Sequence, residues 1–205
     1  MLQNRVDPLG HIIKTSARGA WMGNRGQLHD EHKNIQRAFK LKAWIICVLE
    51  FKGRKRKVMS PGLYTELFFL DEATAFAAGH RPCFECRRKD AALFKTCWIK
   101  GNPSFEFHEK TSIQKIDAVL HKERVDNKNN KITYEEGLKN LPDGSFILHD
   151  DKPFLLVNNF IFEWTPSGYI NKIKLSTSKK VQVLTPRSIV NAFKAGYRPE
   201  GAIES

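Results

Sequence analysis

Apolar and polar positions along this chain change period several times, and each change marks a structural expectation. Residues 1–42 show no sustained period. They are polar, with Gly at 10, 19, 23 and 26, and Gly23-Asn24-Arg25-Gly26 reads as a turn ahead of His29-Asp30-Glu31-His32. Residues 43–51, AWIICVLEF, form an apolar run rich in aromatic and β-branched side chains, which predicts a buried strand. A charged turn at 52–57 and a return strand starting at Val58-Met59 would complete a hairpin. Residues 67–70, LFFL, suit a third strand. Asp71 has the character of an N-cap, 72–78 is Ala-rich and helical, and Gly79 fits the left-handed position that ends a helix. A second helix is expected over 87–98, with Leu93, Phe94, Cys97 and Trp98 on one stripe, stopped by Gly101-Asn102-Pro103.

Beyond residue 104 the pattern becomes strand-like. Ser112 is placed to cap a helix carrying Ile113, Ile116, Val119 and Leu120 at helical spacing. Strands follow at 146–149, 154–157 and 160–164, joined by the hairpin dipeptides Asp150-Asp151 and Asn158-Asn159. A last strand covers 181–184, and Thr185-Pro186 opens a helix that ends at Gly196. The octets at 75–82 and 192–199 agree at six of eight positions, which we read as a shared way of stopping a helix. Together these elements predict an α+β fold, with one unit over 1–104 and a small helix-plus-β unit over 105–205. One continuous globule is the alternative.

Composition adds charge and chemistry. Lys and Arg outnumber Asp and Glu 34 to 22, a net charge of +12, and residues 1–100 hold 19 of the basic and 9 of the acidic residues. A field of that sign draws in polyanions. With 41% hydrophobic residues, 14 of the chain's residues being Phe, a real core is available. No apolar run approaches the length of a membrane span, and residues 1–10 lack a signal core, so a soluble, cytoplasmic protein without a membrane partner is expected.

Four cysteines stand at 47, 83, 86 and 97, two of them in Cys83-Phe84-Glu85-Cys86. Without disulfide-forming context, that spacing reads as metal chemistry: two thiolates on one tight turn can bind one ion, and the positive end of the following helix faces them. Thiol–disulfide exchange is the weaker reading, because a helix and a Gly-Arg-Pro stop precede the motif. Zinc in a structural site takes four ligands, so two more are needed. Cys47 is the first candidate, with a buried core thiol as the plain alternative. His29 follows, spaced H-x-x-H with His32. Cys97 lies on an apolar stripe and reads as core.

Residues 68–86, FFLDEATAFAAGHRPCFEC, resemble the C-terminal part of the metal-binding domain of the Ada DNA-repair family. There an apolar pair leads into an Ala-rich helix ending A-A-G-x-R-P-C-x-x-C. The resemblance implies a zinc-finger-like unit, a β-hairpin plus two helices around the C-x-x-C, that binds zinc and contacts DNA. The family's first cysteine pair would fall in the window 52–56, which reads KGRKR, so its methyl-acceptor thiol is absent and methyl transfer is not carried over.

The expected function is zinc-dependent nucleic-acid binding, DNA favoured, in repair or defence. The candidate contacts are Lys52, Arg54, Lys55, Arg56 and Lys57 at the hairpin tip, Arg87, Arg88 and Lys89 at the helix start, and Arg25 and Arg81. Lys40 and Lys42 extend this set. Two alternatives stand beside it. One is a metal-assisted nuclease with His29 or His80 as general base. The other is a non-catalytic interaction module in which zinc only holds the fold.

Overall fold

The computed structural model describes residues 1–54, 57–201 and 203. Strand pairing gathers them into two six-stranded sheets with four α-helices, an α+β fold. In chain order the elements are β1 (Gln3–Val6), β2 (Ile12–Lys14), β3 (Trp21–Asn24), β4 (Ile45–Cys47), β5 (Leu67–Phe69), α1 (Glu72–Ala77), β6 (Arg81–Pro82), α2 (Arg88–Gly101) and α3 (Ile113–Arg124). There follow β7 (Tyr134–Gly137), β8 (Phe146–His149), β9 (Lys152–Val157), β10 (Phe160–Thr165), β11 (Gly168–Ile173), β12 (Lys180–Val183) and α4 (Arg187–Lys194).

The first sheet runs β2-β1-β5-β3-β4-β6 and is mixed: β1 with β5 and β4 with β6 are parallel pairs. The second runs β11-β10-β9-β8-β12-β7 and is antiparallel throughout. Its two tight hairpins turn on Asp150-Asp151 and Asn158-Asn159, all four with positive φ, as the right-handed twist of the flanking strands demands.

The first sheet differs from expectation in two places. Residues 1–42 supply three strands rather than an irregular segment, and β3 lies inside the sheet between β5 and β4. The hairpin of a zinc-finger-like unit does not form among the described residues. Val58 and Met59 lie in a turn, Met59 has φ +54, and its N–H is taken by Glu66 Oε2 at 2.8 Å. The antiparallel neighbour of β4 is β3 instead.

Helix ends follow local chemistry. Asp71 Oδ1 accepts from Thr74 N at 2.7 Å, closing the start of α1. At its other end Gly79 (φ +86) donates to Phe76 O and His80 N to Ala75 O; at the end of α4 Gly196 (φ +119) donates to Phe193 O and Tyr197 N to Ala192 O. The repeated octet is thus the same Schellman stop used twice, each time burying the next side chain, His80 or Tyr197. Pro186 sits at the N-cap of α4 rather than inside it, while Thr185 Oγ1 accepts from Phe146 N.

One core crosses the boundary expected at residue 104. Ile46 and Phe69 of the first sheet pack with Phe76, Trp98, Leu120 and Phe193 from the four helices. The other face of α1, Ala73 and Ala77, packs on Phe146 and Leu155 of the second sheet. Where α2 crosses α4, a Cβ on Gly101 would stand 2.3 Å from Asn191 O. Gly101→Ala should therefore push the two helices apart and cost about 1–3 kcal/mol, read as a lower urea midpoint at unchanged slope.

Candidate metal centre

Three strands aim one row of side chains at the Cys83–Cys86 turn. Register sets Phe68 opposite Met22 and Met22 opposite Cys47. Because side chains alternate across a strand, Tyr64, Glu66 and Phe68, Met22 and Asn24, and Ile45 and Cys47 line a single cavity of about 210 Å3. The parallel β4–β6 pair then carries Cys83 alongside Cys47, with Cys83 N bonded to Ile46 O at 2.9 Å. One turn later Cys86 closes the group. The three Sγ atoms all lie within 4.8 Å of one another.

The sulfur environment suits a cation. Cys47 and Cys83 are buried and Cys86 is half-buried. Cys83 Sγ accepts from Glu85 N at 3.3 Å. The Cys47 thiol, the backbone N–H groups of Cys86 and Glu85, and the Cys86 thiol stabilise the Cys83 thiolate and lower its pKa against the opposing effect of burial. In return Cys47 is raised, first by that hydrogen bond and then by burial, and Cys86 is raised chiefly by burial. One thiolate is thus favoured and two more are opposed, a balance that a divalent ion would reverse for Cys47 and Cys86. The donor set fits a soft or borderline metal.

His29 does not join the cluster. It is buried between Thr65 and the Ser60 carbonyl, with Nδ1 2.6 Å from Thr65 Oγ1 and Nε2 3.2 Å from Ser60 O. Leu28 N donates to the same Thr65 hydroxyl, which leaves that hydroxyl free to donate to Nδ1 and places the imidazole proton on Nε2. Both ring nitrogens have partners, and among the described residues the sulfur cluster forms without His29. His80 is fully buried against Trp44 and Phe69 and accepts from Arg25 Nε at 3.2 Å. Burial first, then Arg25 and Arg124, hold its pKa well below the ordinary range. It is a neutral core histidine outside the cysteine cavity.

The basic candidates divide. Arg25, Arg81 and Arg87 are buried, correcting their assignment to a nucleic-acid surface. Arg81 forms a two-pronged pair with Asp117 at 2.8 and 2.7 Å, and Arg87 pairs with Glu72 at 2.6 Å and Asp90 at 3.0 Å. Lys52, Arg54, Lys57, Arg88 and Lys89 are exposed, as are Lys40 and Lys42, and Arg54 pairs with Glu85 at the cavity rim. Lys55 and Arg56 lie outside the described residues. Cys97 is buried in the first core, as its stripe predicts.

Sequence reading missed Met22, Asn24, Tyr64, Glu66 and Phe68. The alternation at 64, 66 and 68 was the available signal, since it sets a polar and aromatic face opposite the buried Thr65 and Leu67. Among the described residues, no helix is long and apolar enough to cross a membrane. Compared with known proteins, the chain matches no family model, no curated protein and no solved structure.

Proposed function

We propose that this chain is a zinc-thiolate protein that binds nucleic acid at the basic surface beside its metal cavity. One observation carries the reading: the wall of the cysteine cavity includes Phe51, Arg54 and Val58, so the segment bearing Lys52, Arg54 and Lys57 stands at the metal site. The exposed Arg88 and Lys89 open α2, separated from Cys86 by the buried Arg87 alone. Cys47, Cys83 and Cys86 would hold the ion, tying β4 to the head of α2 and fixing the basic segment in place. Exposed lysines and arginines on a held segment suit phosphate contacts, which position a nucleic acid without reading its sequence.

The test is a fluorescence-anisotropy titration against labelled DNA and RNA over a range of salt. Affinity should fall linearly on logarithmic axes, and Lys52→Glu/Lys57→Glu/Arg88→Glu/Lys89→Glu should flatten the slope by roughly 0.9 for each phosphate the variant no longer neutralises. Absent binding, or an unchanged slope in the variant, would remove the reading.

A second reading, metal-assisted hydrolysis of a phosphodiester, is favoured by a different observation. Among the described residues only three ligands converge, one short of a closed zinc site, and Glu66 and Glu85 line the same cavity. A bound ion would supply Lewis acidity there, and the buried Glu66, which also accepts from Met59 N, would be the base. Under this reading Glu66→Gln keeps the metal and loses cleavage of plasmid or RNA; equal cleavage in the variant would exclude it.

A further inference from the structure

A second cavity, about 450 Å3, is walled by Leu9 to Ile12 of the β1–β2 turn, residues 35–38, Trp44 and the stretch from Arg124 to Lys131. Its charge is almost of one sign. Arg25 and Arg124 are each 1% exposed, and both guanidinium carbons lie 3.9 Å from a Trp44 ring centroid. Arg25 gives Nε to His80 and Nη1 to Gly10 O at 2.9 Å, which leaves Nη2 buried without a partner. Arg124 gives Nη1 to Gly79 O at 2.9 Å and Nη2 to Lys42 O at 2.5 Å, which leaves Nε buried without one. Among the described residues, Lys131 Nζ reaches the Ala77 carbonyl alone.

Among the described residues, no carboxylate pairs with any of these three cations. Asp7 is engaged by His11 and Asp117 by Arg81. Burial, and then mutual repulsion, push Lys131 down to about 7; burial alone pushes Arg25 down to about 9, with only Asp7 opposing it. Buried like charges with orphaned N–H groups are costly, and the missing counter-charge is an anion. Guanidinium forks suit the tetrahedral oxygens of phosphate, and the volume exceeds what a bare phosphate fills.

We propose that this cavity binds a phosphate group, with Arg25, Arg124 and Lys131 as the cations of its wall. The site shares no residue with the cysteine cavity and is independent of the metal reading. The phosphate is either free inorganic phosphate or the terminal phosphate of a nucleotide chain.

Calorimetric titration of the full chain decides it, using inorganic phosphate, chloride at matched ionic strength, and one dinucleotide in 5′-phosphorylated and 5′-hydroxyl forms. Phosphate should bind where chloride does not. Lys131→Gln and Arg25→Gln should each weaken it by about ten-fold or more, the loss of one charge-assisted hydrogen bond. Binding of inorganic phosphate but of neither dinucleotide assigns the site to free phosphate. Binding of the 5′-phosphorylated form over the 5′-hydroxyl form assigns it to a phosphorylated end. Lys131 is only partly buried, so if Arg25→Gln fails to fold, Lys131→Gln decides alone. Phosphate binding no better than chloride, or undiminished in the variants that fold, would overturn the proposal and leave a water-filled cavity.

Discussion

Cys47→Ser should strip the metal centre, taking zinc from about one equivalent per chain to a trace in mass spectrometry of freshly purified protein, as expected when a three-thiolate set loses a member. Its sulfur stands within 4.8 Å of both other cysteines, and serine offers a hard, protonated oxygen in its place. Because the ion would join β4 to the head of α2, its loss also removes folding free energy. Zinc-finger peptides draw on the order of 10 kcal/mol from their ion; here a large core folds around the site, so a loss of several kcal/mol is expected. Cys97→Ser, outside the cluster, should keep full metal content. Full zinc in Cys47→Ser would refute the three-cysteine centre. Binding must displace protons from Cys47 and Cys86, whose thiols are raised, so metal affinity should fall as pH falls.

Arg87→Ala should destabilise the protein by about 3–5 kcal/mol, the usual cost of stranding one member of a buried pair. Arg87 and Glu72 side chains are 2% and 1% exposed and 2.6 Å apart. The Glu72 carboxylate also accepts from Tyr197 OH at 2.9 Å and Glu200 N at 2.8 Å, and Arg87 lies over Trp21 at 4.0 Å. One ion pair therefore fastens the residue after Cys86 to α1 and to the chain end. Burial raises the Glu72 pKa and Arg87 pulls it down. Without Arg87 the folded-state pKa rises further above the unfolded one. The variant is then least impaired below the unfolded pKa, where Glu72 is protonated in both states, and loses stability as pH rises through the folded value. Urea unfolding at acid and neutral pH reads this directly. Glu72→Gln/Arg87→Met should cost less than Arg87→Ala; an equal or larger loss would show that packing on Trp21, rather than the charge pair, sets the effect.

The elements legible in the sequence are those whose determinants are local. Asp71 and Gly79 bracket α1, Phe94, Cys97 and Trp98 mark the buried stripe of α2 while Leu93, read onto that stripe, is exposed, and Asp150-Asp151 and Asn158-Asn159 turn the hairpins between β8, β9 and β10. The strands that went unread, β1, β2, β3, β6, β7 and β11, have two to six residues and little apolar alternation, so partners distant in sequence decide them. Cys83 and Cys86 were legible because two residues separate them.

The third sulfur was a candidate rather than a conclusion, since Cys47 meets the pair only through the parallel register of β4 and β6. Charge was legible but its side was not: Arg81 finds Asp117 36 residues away, and Arg25 finds His80 55 residues away, so the chain folds them inward. By itself the sequence determined the helix stops, the antiparallel hairpins, the excess of positive charge and a two-thiolate turn, because each depends on residues within one or two turns. Only the tertiary structure decided which cysteine completes the cluster, which arginines leave the surface and where two cavities open, because burial and convergence are set by contacts between distant segments.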